Sequence, residues 1–595
     1  MSKKDIYKDI FNTELIKFNI SKIQQLSQKL INYKLSKKHL KNKIIISISS
    51  DYTTNFFTDV LKLFLINKKV QPKILESEYG SLRYHIRDTN SFFWKQKSDF
   101  LILLPSSKNF SYLPNIHDNK KVIKKKAEKE AKLWLDAWSK VDKNIIQTTF
   151  DPPIIPGLSN EDAVTFSGHL HFVRMVNSIL IEKLPNHVNL IDVENLVFNN
   201  QNSNWKDTRL FYLAKQPFSM ETIPPLATRV CGKILGKLGF AKKAIILDLD
   251  NTLWGGIAGD DGVDGINLDS NSPDGEAYLN FQKYLKRLSL NGIILCICSK
   301  NDPEVIKEIF KKHNDIILRQ EDFTIIKTNF DDKAKNIREI SKTLNLNLDS
   351  FVFIDDSKIE CALVKKELPE VFVINLDSSQ PYDYINKVES HDLFYFRNLT
   401  PADLNRAKSY KGIKKLEKIK SNSSNLEKFL KDLKPEIHFE KIKKSNVPRA
   451  AQLLAKTNQF KLNQKVFSEK ELLKNNNKVI VISFKDIIQN YGIIGVLIFN
   501  YKKKDLAIEI ENWVISCRVF SRRVEKFILD YLKKEVKKKK FKRILFKLDL
   551  TRKNQYLQIF LKKSNIKIIE NNKRYSILVS DIKNKEKNYI TLKDF

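Results

Sequence analysis

The sequence predicts a multidomain α/β protein: a central parallel, doubly wound sheet, an α/β domain before it and an α+β domain after it. Three observations carry this. Near-continuous apolar runs, AIILD at 244–248, GIILCIC at 292–298, FVFID at 351–355 and VFVINL at 371–376, alternate with helical stretches. That is the pattern of strands covered on both faces by crossover helices. The chain has 595 residues, which suits about three or four domains at roughly 100–200 residues each. Hydrophobic residues make up 42% of it, enough to fill several cores and to exclude wholesale disorder.

Residues 1–40 are lysine-rich with helical periodicity. An α/β pattern then runs from 41 to 218, with KIIISIS and DFLILLP as strands and KEAKLWLDAW as part of a helix. The central unit is expected at 219–385. In it, Glu276–Leu288 forms a helix with Tyr278, Phe281, Leu285 and Leu288 on one face, and Asn301-Asp302-Pro303 opens another. Residues 386–430 read as a helical connector with a polar joint, SNSSN, at 421–425. Residues 431–595 mix strands such as VIVISF and GIIGVLIFNY with a basic helix, an α+β pattern.

The net charge of +36 raises the question of nucleic acid. Lysine is spread along the whole chain, however, and no zinc-finger spacing or aromatic RNA-binding motif accompanies the densest run, Lys533–Arg543. No nucleic-acid partner is expected; an acidic protein or a phosphorylated substrate suits a basic surface equally well. No apolar run reaches the roughly 18 residues of a membrane span. MSKKDIYKDIFNTEL lacks the apolar core of a secretory signal. The five cysteines form no CxxC pair, so neither a disulfide framework nor a zinc site is expected and a cytoplasmic location fits best.

The chemistry concentrates at strand ends of the central unit, where an open parallel sheet places its sites. Asp248-Leu249-Asp250-Asn251-Thr252 ends the first strand, Ser299-Lys300-Asn301 follows a later one, Lys333 starts a helix, and Asp355-Asp356 ends another strand. A carboxylate can attack phosphorus to give an aspartyl-phosphate. An anion attacking an anion needs charge compensation, which Mg²⁺ supplies on hard oxygen ligands. A second carboxylic acid can protonate the leaving group and then activate water. The expected roles are Asp248 as nucleophile and Asp250 as general acid/base. Thr252, Ser299, Asn301 and Lys333 hold phosphate, and Asp248, Asp250, Asp355 and Asp356 form the metal group. Ser299 lies 51 positions after Asp248, and Lys333 lies 34 after Ser299. Neither interval has room for a large cap, so an open site is expected, suited to a bulky or tethered substrate.

LDLDNTLWGGIAGDDGVDGI (247–266), CSKND (298–302), DKAKNI (332–337) and FIDDSKIE (353–360) resemble the FkbH-like branch, subfamily IIIC, of the haloacid-dehalogenase (HAD) superfamily. WKDTRLFYLAKQPFS (205–219) is similar to the family's preceding segment. KTNQFKLNQKVFSE (456–469) and SCRVFSRRVEKFIL (516–529) are similar to its C-terminal domain. The resemblance implies an uncapped HAD sheet, an SGNH-hydrolase-like N-terminal domain and a C-terminal domain of the acetyltransferase (GNAT) fold. It also implies a function: dephosphorylating a small acyl unit, glyceryl from 1,3-bisphosphoglycerate, and loading it on an acyl carrier protein. The rival enzyme reading is a phosphatase of a sugar or other small metabolite, and a non-enzymatic basic scaffold is a third.

Departures from the family pattern bear on the outer domains. Ser521-Arg522-Arg523 stands where the family has glycines beside the acetyl-CoA pyrophosphate, so tight acetyl-CoA binding is not expected. Ser49-Ser50-Asp51 replaces Gly-Asp-Ser, and no Asp-x-x-His appears near the end of that domain, which argues against hydrolase chemistry there. Motif four lacks the usual Asn-Pro after its acidic pair, which changes the loop and keeps the acids. Cys517 and Cys298 are candidate acyl relays, set against the commoner role of cysteine as a small buried hydrophobe. Arg518, Arg522, Arg523 and Lys526 cluster at one expected helix start, a candidate dock for an acidic carrier.

Overall fold

In the computed structural model the described residues are 10, 15, 19–31, 42–155, 157–198, 205–397, 399, 404, 426–465, 467–475, 478–487, 489–520, 522–549, 551, 554–564, 567–570, 574–578 and 589–593. Most of the expected 1–40 segment, the SNSSN joint and Ser521 lie outside them; Ile20–Ile31 is helical. The chain divides into two compact units, Met1–Leu235 with Glu389–Arg397, and Gly236–Val388 with Asn398–Phe595.

The first unit is built on five parallel strands, β1 (Asn42–Ser50), β2 (Val70–Glu76), β3 (Phe100–Leu104), β4 (Asn144–Thr148) and β5 (Val188–Ile191), in the order β2-β1-β3-β4-β5. Trp134, Trp138 and Phe172, from helices Lys120–Lys140 and His169–Glu182, are fully buried against it. Helix Ile223–Lys237 straddles the end of this unit, beyond the boundary expected at 218/219. An ion pair over 163 positions ties it to the 389–397 segment: Arg229 Nη1 lies 3.0 Å from Asp392 Oδ1.

The second unit contains two sheets. The first, β6 (Ala244–Leu247), β7 (Ile294–Ser299), β8 (Ile325–Thr328), β9 (Phe351–Asp355) and β10 (Phe372–Asn375), is wholly parallel in the order β10-β9-β6-β7-β8. Its central strands, β6, β7 and β9, are entirely buried, as their apolar runs require. Among the described residues no cap domain interrupts it: the longest insert, between β6 and β7, holds helices Ala258–Gly265 and Pro273–Leu290.

The other sheet has eight strands, β11 (Glu436–Lys441), β12 (Val479–Lys485), β13 (Asn490–Lys502), β14 (Ala507–Ile515), β15 (Arg543–Lys547), β16 (Lys567–Glu570), β17 (Arg574–Leu578) and β18 (Thr591–Leu592). β11 to β14 are antiparallel neighbours, whereas β14 and β15 are parallel and pair only over Ala507–Ile510. β14 runs on to Ile515, so the sheet opens there. This is the GNAT-like α+β domain. Trp513, Phe460 and Ile528 of helix Val524–Lys538 lie in its core.

Candidate active site

Asp248 follows β6, Ser299 ends β7, Lys333 opens helix Lys333–Thr343 and Asp355 ends β9. β6 lies between β7 and β9, so the carboxyl ends of three adjacent strands deliver the acids and the serine to one place. Lys333 Nζ lies 2.9 Å from Asp248 Oδ2 and 2.7 Å from Asp355 Oδ2, with all three side chains buried or nearly so. Burial disfavours the lysine's charge, but the two carboxylates outweigh it and raise its pKa above the ordinary range. Asp355 is pushed up to about 7, first by burial and then by Asp248, with Lys333 opposing. Asp356 is raised too, by burial and then Asp248.

Carboxylate oxygens of Asp248, Asp355 and Asp356 lie within 4.8 Å of one another. Asp248 Oδ1 is buried without a hydrogen-bond partner in the protein. Hard oxygens at this spacing, one of them unsatisfied, fit a small divalent cation. Asp250, expected as a fourth metal ligand, is not in this group. Both its oxygens are occupied: Oδ1 accepts from Trp254 Nε1 at 3.1 Å and Ala258 N at 3.0 Å, and Oδ2 accepts from Asn301 Nδ2 at 3.0 Å. That fixes a half-buried carboxyl group two residues after Asp248, the expected nucleophile.

Of the residues expected to hold phosphate, Ser299 and Asn301 are joined to each other. Asn301 Nδ2 also donates to Ser299 Oγ at 3.0 Å, and Thr252 Oγ1 is buried with no partner in the protein. Three positioning residues are not evident from the sequence. Trp254 grips Asp250. Asn251 holds φ +50° and accepts from Gly256 N at 3.0 Å, while its own carbonyl accepts from Tyr384 Oη at 2.7 Å. Gly256 sits at φ +93°, and a Cβ there would stand 2.6 Å from Asp261 Oδ2. The Trp-Gly-Gly motif is visible as a signature; its mechanical role, a loop folded back onto Asp250, is not.

The relay cysteines stand elsewhere. Cys298 is fully buried among Ala244, Ile246 and Ala334, because alternation along β7 turns it away from Ser299. Burial pushes its thiol up to about 12. Cys517 is half-buried and packs against the cores of both sheets of the second unit. The expected carrier dock also fails in part. Arg522 is buried, with Nε 3.0 Å from Asp486 Oδ2, Nη2 2.5 Å from Tyr491 Oη and Nη1 3.1 Å from the Arg518 carbonyl. Arg518 is buried as well. In the first unit, Asp51 Oδ2 accepts from Ser106 N at 3.0 Å, and Asp151 accepts from Ser107 N at 2.8 Å. Ser50 Oγ is engaged with the backbone of Leu104 and Tyr52, and none of these contacts involves a histidine.

Residues 45–235 match the family model described as FkbH, N-terminal domain. Among solved structures, one similar to this chain is the N-terminal part of the protein BF1531 from Bacteroides fragilis, which contains a phosphatase domain and is complexed with Mg. It is 24% identical, with a TM-score of 0.58 over 64% of this chain and 99% of that one, and shares its fold. Likenesses to the ribosomal-protein-S18-alanine N-acetyltransferase of Escherichia coli (10% identity, TM-score 0.19, 24% of this chain and 94% of that one) and a GNAT-family acetyltransferase of Bacillus anthracis (18%, 0.19, 24% and 94%) are partial. No curated protein matches the sequence. Fold and site define an uncapped HAD-type domain joined to a GNAT-like one. The residues that match the FkbH N-terminal domain, 45–235, come ahead of that pair.

Proposed function

We propose that this chain is a Mg²⁺-dependent phosphoryl-transfer enzyme that dephosphorylates a small acyl unit of the glyceryl type and loads it on an acyl carrier protein. The observation that carries the reading is the buried group of Asp248, Asp355 and Asp356 around Lys333, with Asp250 held beside it. Asp248, Asp355 and Asp356 would hold Mg²⁺, which offsets the charge of the phosphoryl group. Asp248 attacks phosphorus, and the bond to the leaving oxygen breaks as Asp250 protonates that oxygen. Asp250 then takes a proton from water, whose oxygen displaces Asp248 and releases phosphate. Lys333, Ser299, Asn301 and Thr252 hold the phosphate oxygens in this sequence.

With 1,3-bisphosphoglycerate, a carrier thiol would attack the acyl carbon. The C–S bond replaces the C–O bond of the anhydride, whose phosphate departs, and the remaining phosphate ester is cleaved at Asp248. The open mouth supports delivery by a tethered thiol. Ile257, Phe330, Ile359 and Tyr382, on the segments after β6, β8, β9 and β10, are exposed. An apolar rim of this kind suits a protein partner. The test is to incubate the full chain with candidate carriers, Mg²⁺ and 1,3-bisphosphoglycerate and weigh the carriers. A glyceryl adduct, replaced by a phosphoglyceryl adduct with Asp248→Asn, is the expected result. Phosphate release with no adduct on any carrier would leave a small-metabolite phosphatase instead.

A further inference from the structure

An open cleft with a volume of about 80 Å³ lies where the amino-terminal end of the central sheet meets the C-terminal domain, within the second unit. Lys243 and Ser350, the residues just before β6 and β9, line it from one side. Arg449 and Lys456 of helix Val447–Lys456, with Cys517 and Arg518 just past the end of β14, line it from the other. Its lining therefore carries four cationic side chains, and no aspartate or glutamate is among the lining residues. Five side-chain amides add neutral donors.

The lining is held in place. Lys243 Nζ donates to the Lys456 carbonyl at 3.2 Å, Arg518 Nε to Ser516 Oγ at 3.1 Å, and Arg449 to the Gln452 side chain. Across the cleft, Gln459 Nε2 donates to Asn347 Oδ1 at 2.8 Å. Gly239 lets the two domains close: a Cβ there would stand 2.2 Å from the Ala455 carbonyl. A concave site with one sign of charge and fixed donors concentrates anions, and guanidinium groups match phosphate oxygens in geometry.

We propose that this cleft is a second anion site, one that takes the phosphate or pyrophosphate group of a small molecule. It is separate from the phosphoryl-transfer site. The residues from Lys243 to Asp248 place the two at opposite ends of β6, roughly 17 Å apart at about 3.3 Å per residue.

Cys517 reports occupancy, because it alone of the five cysteines is not buried. The full chain is pulsed with iodoacetamide, and alkylation of Cys517 is followed by peptide mass spectrometry. The arms are inorganic phosphate, pyrophosphate, acetyl-CoA, and chloride at matched ionic strength. Phosphate or pyrophosphate at about ten times its Kd should slow labelling roughly tenfold by mass action. The Arg449→Ala/Lys456→Ala variant should lose that protection while melting with wild type and releasing phosphate at the wild-type rate. Protection by both pyrophosphate and acetyl-CoA assigns the cleft to a pyrophosphate group whatever carries it. The proposal fails if neither phosphate nor pyrophosphate protects, if chloride protects equally, if acetyl-CoA protects alone, or if protection survives in the variant.

Discussion

Trp254 donates its indole N–H to Asp250 at 3.1 Å, from a ring that is itself fully buried. The carboxyl group proposed as acid/base is thus aimed by the core. Trp254→Phe keeps most of the packing and removes one hydrogen bond to a charged group, worth about 1.5–3 kcal/mol. If that energy is expressed in the transition state, kcat falls about tenfold to a hundredfold while KM changes little. Steady-state kinetics checks this; a wild-type kcat would mean Ala258 and Asn301 suffice to place Asp250.

Asp248→Asn should lower phosphate release about a thousandfold or more, because the proposed nucleophile is lost. The fold should persist, since Lys333 retains Asp355 at 2.7 Å. Wild-type enzyme should stop in EDTA and recover with Mg²⁺, and calorimetry should show weakened Mg²⁺ binding in the variant. Turnover in buffer proven metal-free by elemental analysis contradicts the metal assignment.

Glu525, in the first turn of helix Val524–Lys538, is buried, and burial pushes its pKa from 4.5 up to about 7. A carboxyl group whose folded pKa is raised binds more protons folded than unfolded, so stability falls as pH rises between those values. Glu525→Gln mimics the protonated form. It should match wild type near pH 4 and exceed it above pH 7, by up to about 3 kcal/mol. Urea melts at both values decide it, and a pH-independent difference would place the charge elsewhere.

Arg522 has the sequence context of a surface charge, and its burial changes what its removal does. Arg522→Ala strands Asp486 without its guanidinium, at a cost of about 3–5 kcal/mol. The double change Arg522→Met/Asp486→Leu should restore much of the lost melting temperature. If Arg522→Ala instead melts with wild type and only carrier loading suffers, the docking role returns.

The strand-end acids were legible because apolar runs fix β6, β7 and β9, and a parallel sheet gathers the residues at their carboxyl ends. Lys333 was legible for the same reason: the helix it opens comes directly after β8. The features that escaped depend on contacts remote in sequence. Nothing local to RVFSRR says that Asp486, on a different segment, will neutralise Arg522. Nothing near residue 229 announces Asp392, so the first unit extends past its expected end. The cleft joins residues near 243, 347, 456 and 517, no two of which form a motif. Cys298 misled because a neighbour of Ser299 in sequence lies on the opposite face of a strand.

The rim gives the last expectation. Phe330 is 75% exposed and Ile359 is 80% exposed, so replacing them removes little packing from the fold. Phe330 lies between β8 and Lys333, and Ile359 comes after Asp356 in the first turn of helix Lys358–Glu367. A carrier reaching Asp248 from the open side would meet both. If they anchor it, Phe330→Glu/Ile359→Glu should slow loading by about tenfold or more, the scale of losing apolar anchors at an interface. Phosphate release from a small free substrate should stay near wild type, because neither side chain takes part in the ion pairs among Asp248, Lys333 and Asp355. Apolar anchoring also predicts that loading weakens only mildly from about 50 to 500 mM salt, although the Debye length shrinks about threefold. A steep salt dependence with an unaffected double variant would move the carrier to a charged surface. A parallel loss of loading and phosphate release would place both residues in the service of the catalytic loops instead.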